Sequence, residues 1–164
     1  IFSGGDDPNM EEWGTPTHPN TTKVNAERQK FELGLLNELK KRPDIPVLGV
    51  CLGMQWMSLL AGGSIDQDLA EPFATNHKDS SHLITGQFGE GLVHSHHHQA
   101  ISDAGSLEVI AISDDGIIEA VSDANRRWYI GVQWHPERTE NNTLGQDIFL
   151  QLIHECSKLQ ATPS

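Results

Sequence analysis

The chain has 164 residues, 37% of them hydrophobic and 21% charged, and a formal net charge of −12. That is enough chain for one domain with a core, and the acidity argues against a nucleic-acid backbone or an anionic membrane as partner, leaving a basic protein open. No apolar run reaches the length of a membrane span, and no basic-then-apolar secretory pattern is present.

Ile1-Phe2 runs straight into Ser3-Gly4-Gly5, the pattern of a strand ending in a turn. Residues 6–22 are rich in Asp, Pro, Asn, Gly and Thr and read as a surface loop. Thr21 or Thr22 is the expected cap of a helix over 24–41, where Phe31, Leu35 and Leu39 recur at i, i+4. Pro43 stops it.

Pro46-Val-Leu-Gly-Val-Cys51 is short, apolar and continuous, as a buried parallel strand is. Gly53–Leu60 reads as a helix closed by Gly62-Gly63. Residues 64–90 read as polar and irregular. Strands are expected at 91–94, 107–112, 117–121 and 128–133, with Asp-Asp-Gly turning the second into the third. Residues 144–159 form the closing helix. No repeat or linker divides the chain, so one domain is expected over 1–164.

Cys51 lies between Gly49 and Gly53 at a strand-to-helix switch. This is the spacing of a nucleophile elbow, in which a sharp turn lifts the side chain over the sheet edge. A helix N-terminus there is expected to lower the thiol pKa. The alternative is a small apolar core cysteine. His135 ends the 128–133 strand in Trp-His-Pro-Glu, with a carboxylate, Glu137, two residues on. A cysteine hydrolase needs such a base and a third group to hold the imidazole; the alternative is a surface turn. Gly4-Gly5 could offer backbone N–H groups to a developing oxyanion, or be only a turn. The run His94-Ser95-His96-His97-His98 has the residue type of a metal site. Adjacent side chains on extended backbone diverge, however, and no carboxylate or cysteine is near in sequence. A polar surface loop or a substrate-lining loop fits better. Cys51 and Cys156 lie in different environments, which points to a reducing compartment and a cytoplasmic protein.

At these residues the chain resembles the class I glutamine amidotransferase-like proteins. Within them it is most similar to the γ-glutamyl hydrolase and γ-glutamyl-γ-aminobutyrate hydrolase type peptidases. The matching pieces are Ser-Gly-Gly-Asp-Asp at 3–7, Pro-Val-Leu-Gly-Val-Cys-Leu-Gly-Met-Gln at 46–55 and Gly-Gly-Ser-Ile-Asp-Gln-Asp-Leu at 62–69. Ser-His-His-His-Gln-Ala-Ile at 95–101, Asp-Gly-Ile-Ile-Glu-Ala-Val at 115–121 and Gly-Val-Gln-Trp-His-Pro-Glu at 131–137 complete them. The resemblance implies an α/β fold with a doubly wound, mostly parallel sheet and helices on both faces, the flavodoxin-like amidotransferase fold. It implies a triad of Cys51, His135 and Glu137, an oxyanion hole from the Gly5 and Leu52 N–H groups, and substrate contacts from Gln55, Ser95, His96 and His97. A hydrolase of a small γ-glutamyl compound is the implied function, with a glutaminase subunit serving a synthase partner, a non-catalytic relative and a homodimer left open and no metal or organic cofactor expected. The family pattern has further strands before the Gly-Gly turn, so an N-terminal part is expected to be missing here. Leu52 stands where the subgroup often has Arg, and His96 where it often has an aromatic, which bears on the leaving group.

Overall fold

The computed structural model describes residues 1–160. After a 3-10 turn at Met10–Trp13, α1 runs Ala26–Leu39. Its cap is Asn25, whose side chain accepts from the Glu27 and Arg28 N–H groups. The cap thus lies a few residues beyond the expected threonines: Asn25 is the residue with an acceptor of the right reach.

Strand β1, Val47–Val50, leads through Cys51 into α2, Leu52–Leu60. Next come β2 (Ser64–Asp66), a short α3 (Phe73–His77), β3 (Lys78–Gly86) and β4 (Gly89–His96). The remaining strands are β5 (Ala100–Asp103), β6 (Glu108–Ser113), β7 (Ile118–Ser122) and β8 (Tyr129–Val132). Another 3-10 turn, Pro136–Arg138, precedes α4, Gln146–Gln160. The stretch 64–90, expected to be irregular, therefore contains the long strand β3. Only His82 and Ile84 of β3 are buried, so its inward face is half polar and gives no apolar alternation.

The main path of the sheet runs β1-β8-β7-β6-β3-β4, with β5 also on β7 and β2 on β5. The α/β class and the helices on both faces are as expected, but the sheet is mixed. β1 and β8 are parallel, as are the isolated bridges of Phe2 to Gly49 and Asp7 to Lys23; the other ladders are antiparallel. Short connections such as Asp114-Asp115-Gly116, with Gly116 at φ 90°, allow only antiparallel neighbours.

Strand alternation splits the core. Leu48, Val50, Ile130 and Val132 face α4, meeting Ile148 and Leu152. Val47 and Tyr129 face Leu33 and Leu36 of α1 and Trp56 and Met57 of α2. Residues Leu52 to Leu59 of α2 are all buried, because the helix is enclosed between sheet and α1. The parallel register pairs Val50 with Val132. Both strands then end at the same edge, which brings Cys51 and the His135 turn together.

Candidate active site

Cys51 has φ 51° and ψ −106°, a left-handed-side conformation that L residues adopt only under constraint. The constraint is the packing around it. A Cβ on Gly53 would fall 2.2 Å from the Phe2 carbonyl oxygen, and one on Gly49 would fall 2.7 Å from the Gly53 carbonyl carbon. The Cys51 N–H donates to Val132 O at 2.8 Å and fixes the turn to the end of β8.

His135 follows β8, with its N–H donating to His94 O at 2.8 Å. The 3-10 turn begun by Pro136 swings Glu137 back, and His135 Nδ1 donates to Glu137 Oε1 at 2.6 Å. Gly4 stands between this imidazole and the cysteine. A Cβ there would lie 3.1 Å from His135 Cε1 and 3.5 Å from Cys51 Cβ. Glycine is therefore the residue that lets Cys51 and His135 approach each other.

Arg28 shapes the same turn. Its guanidinium donates to the carbonyls of Ser3 (3.0 Å) and Gly4 (3.1 Å). Gly5 packs against Leu52, whose Cδ2 would be 3.1 Å from a Gly5 Cβ. The Gly5 N–H makes no hydrogen bond to protein among the described residues, and the Leu52 N–H is directed to the sulfur.

A cavity of about 230 Å³ opens beside Cys51, lined by Gly5, Gln55, Lys78 and His96 among others. Asp6 and Asp7 line it too, so the cavity carries both signs of charge. Gln55 is buried and donates to Gln133 Oε1 at 3.4 Å; Gln133 in turn donates to Cys51 Sγ at 3.6 Å.

The three residues of the histidine loop separate. His96 is exposed and faces the cavity. Ser95 is fully buried, its hydroxyl unpartnered among the described residues. His97 borders the cavity, but its ring is turned inward, Nδ1 donating to Gln99 O at 2.8 Å. His98, which the sequence placed in the histidine run without a role of its own, closes one wall by donating from Nε2 to Asp7 (2.9 Å) and from Nδ1 towards Asp68 (3.4 Å). The hydrogen bond to Asp7, against burial and with help from Asp68, raises the His98 pKa. Sequence reading gave no site role to Arg28, Lys78 or Gln133. Gln133 lies inside the Gly-Val-Gln-Trp-His segment and Asp7 inside Ser-Gly-Gly-Asp-Asp, whereas Arg28 and Lys78 carry no local signal.

Electrostatics reverse one expectation. Burial pushes the Cys51 thiol up to about 12, with the Leu52 N–H favouring the thiolate while Asp7, Glu119 and Glu137 oppose it. A closed, acidic surrounding outweighs the helix N-terminus. His135 is lowered, because burial outweighs the pull of Glu137. A neutral thiol and a neutral imidazole is thus the resting pair.

The Peptidase C26 family profile matches residues 1–137. The chain belongs to this family, one of the class I glutamine amidotransferase-like proteins. It is 32% identical over 176 residues to protein NtpR of Enterococcus hirae, covering 94% of this chain and 73% of that protein. It is 36% identical over 119 residues to one subunit of the glutamine-hydrolyzing GMP synthase of Natronomonas pharaonis, covering 70% of this chain and 64% of that one. Among solved structures, a glutamine amidotransferase of Thermotoga maritima superposes with a TM-score of 0.56 at 19% identity, covering 84% of this chain and 59% of that chain. This last likeness bears on the fold alone. The chain spans only part of the length of each of these proteins. Within the C26 fold, no helix among the described residues is long and apolar enough to cross a membrane.

Proposed function

We propose that this chain cleaves the γ-glutamyl amide bond of glutamine or of a γ-glutamyl amine or peptide through a thioester on Cys51. The observation that carries the reading is the convergence, around Gly4, of Cys51 on its constrained turn and of His135 bonded to Glu137. Membership in a family of cysteine-dependent enzymes supports it.

The chemistry follows from the resting pair. A thiol raised to about 12 attacks poorly unless a base takes its proton during the attack. His135, neutral and with Nδ1 committed to Glu137, offers Nε2 for that proton. Sulfur then bonds to the γ-carbonyl carbon, and negative charge gathers on oxygen, opposite the Gly5 and Leu52 N–H groups. Losing one such donor costs roughly 10²–10³ in kcat. His135 returns its proton to the departing amine as the C–N bond breaks, leaving the thioester. Water adds next, its proton passing to His135 and then to sulfur, and glutamate leaves. Glu137 stabilises the imidazolium at each stage. Lys78 and the Asp6-Asp7 pair give the cavity groups to receive an α-carboxylate and an α-ammonium.

A second reading is a glutaminase component that hands ammonia to a partner synthase, favoured by the likeness to the GMP synthase chain of Natronomonas pharaonis. Glutamate release from glutamine and from a panel of γ-glutamyl amides, measured beside Cys51→Ala, separates the two. Turnover of the amides that disappears in Cys51→Ala supports the hydrolase. Release confined to glutamine, and rising when a synthase is added, supports the ammonia donor. Turnover that survives Cys51→Ala overturns both.

A further inference from the structure

Behind the histidine loop lies a buried cluster that the proposed chemistry does not use. Glu119, on β7, is fully buried, and neither carboxylate oxygen makes a hydrogen bond among the described residues. Three imidazoles surround it. His77 Nδ1 is 3.3 Å from Glu119 Oε1, His82 Nε2 is 3.1 Å away and His97 Nε2 is 3.7 Å away. His77 Nδ1 and His97 Nε2 are 3.2 Å apart. Both ring nitrogens of buried His82 lack a hydrogen bond, although one faces the carboxylate.

The outer hydrogen bonds fix the tautomers. His97 Nδ1 meets the Gln99 carbonyl, which can only accept, so Nδ1 carries the proton and neutral His97 has a bare Nε2. His77 Nε2 meets both oxygens of the Asp115 carboxylate at 3.1 Å, so neutral His77 has a bare Nδ1. Two lone pairs therefore face each other across 3.2 Å, with a carboxylate and a third imidazole converging on the same point. Something positive belongs among them. A proton on His77 Nδ1 would serve both His97 and Glu119, and one on His82 Nε2 would face Glu119, so protonation is the rival to a metal ion here. A metal ion would answer all of them.

We propose that His77, His82, His97 and Glu119 form a four-ligand site for a divalent transition-metal cation of the zinc class. Ligand atoms about 2.0–2.1 Å from a tetrahedral zinc stand ~3.3 Å from one another. Four of the six ligand-to-ligand separations, at 3.1, 3.2, 3.3 and 3.7 Å, straddle that spacing. The ligand atoms of His77, His82 and Glu119 all lie within 4.8 Å of each other. Imidazole and carboxylate donors suit zinc and its neighbours over magnesium or calcium. Asp115 on His77, and the Gln99 carbonyl on His97, supply the outer acceptors that orient metal-bound imidazoles. All four side chains are buried, which makes the role structural. The ion joins α3 and β3 to β7 and to the loop that borders the Cys51 cavity. The site goes beyond the hydrolase reading and stands or falls separately from it.

The test uses the full chain carrying Cys51→Ala, which removes the nearby thiol, stripped with a chelator and titrated with Co²⁺. The expected result is uptake of one equivalent, with the intense visible bands of tetrahedral Co²⁺ and their loss on adding Zn²⁺. Glu119→Gln and His82→Gln, checked for folding by circular dichroism, should each abolish the bands. A His94→Ala/His96→Ala variant should keep them, since those two rings lie near exposed Asp79 and offer the rival surface site. Absence of stoichiometric uptake by the folded parent overturns the proposal without any ligand variant. So do bands that persist in Glu119→Gln, or that vanish only in the His94/His96 variant, or the weak spectrum of an octahedral ion.

Discussion

At the scale of single residues, the site depends on two pKa values displaced in opposite senses. Cys51 is raised to about 12, so little thiolate exists at neutral pH in the free protein. Alkylation by iodoacetamide at neutral pH should therefore be slower at Cys51 than at exposed Cys156, as peptide mass spectrometry would read. Faster labelling of Cys51 would mean that a preformed thiolate, and not base-assisted attack, starts the reaction. His135 is lowered, and its neutral form is the one that would accept the proton in the proposed reaction. Activity should accordingly fall on the acid side only below the ordinary histidine value of 6.5, as His135 becomes protonated. Glu137→Gln removes the group that pulls this pKa upward. The acid limb of kcat/KM should move to still lower pH while kcat drops by roughly 10²-fold or more, since the imidazolium loses its stabilising charge. An unchanged pH profile in Glu137→Gln would separate Glu137 from His135. Cys51, His135 and Glu137 were readable as candidates because Cys51 follows the end of one strand and His135 with Glu137 follows the end of another. Glu119 was not: its partners lie on α3, β3 and the histidine loop, so nothing near it in sequence marks it as the centre of a cluster.

At the scale of elements, the β1–α2 connection is the part most sensitive to volume. Gly53 is in contact with the Phe2 backbone, where a Cβ would come within 2.2 Å of a carbonyl oxygen. Backbone has no rotamer with which to yield. Gly53→Ala should cost about 1–3 kcal/mol by overpacking, read as a lower urea midpoint at constant m. It should also reduce kcat, because the start of α2 carries the Leu52 N–H and must shift from Gly5. Gly34 on α1 is a fitting control, since a Cβ there meets nothing within 4 Å. Equal effects from the two alanines would remove the packing argument. Elements built on a strong local pattern were legible in the sequence: α1, the β1–α2 turn, β6 to β8 and α4. What escaped were β2, α3, β3 and β5. His82 takes the place of an apolar residue on the buried face of β3, and the strand owes its position to the long β4 ladder, a pairing that composition does not announce. The hairpin over 107–121 was itself legible; the mixed character of the whole sheet escaped because the resemblance suggested mostly parallel neighbours.

At the scale of the molecule, one sheet separates two apolar layers, and the site stands where β1 and β8 leave it. Leu36 belongs to the layer under α1 and α2, and Ile148 to the layer under α4; both are fully buried. If the layers unfolded independently, the site would be held by whichever survived. They share β1 and β8, however, whose alternate side chains enter opposite layers, so neither can open without losing the strands that seat Cys51 and His135. Leu36→Ala and Ile148→Ala should thus each destabilise the chain by about 2–5 kcal/mol and lower the midpoint of a single transition. Trp56 reports on the first layer and Trp134 on the second, each fully buried. Single-tryptophan variants retaining one or the other should show coincident denaturation curves by fluorescence, superposable on loss of activity. A curve for Trp134 that leads or trails that of Trp56 would mean two cooperative units. The α4 layer would then be a detachable cover, and the loss of Ile148 would spare the chemistry at Cys51.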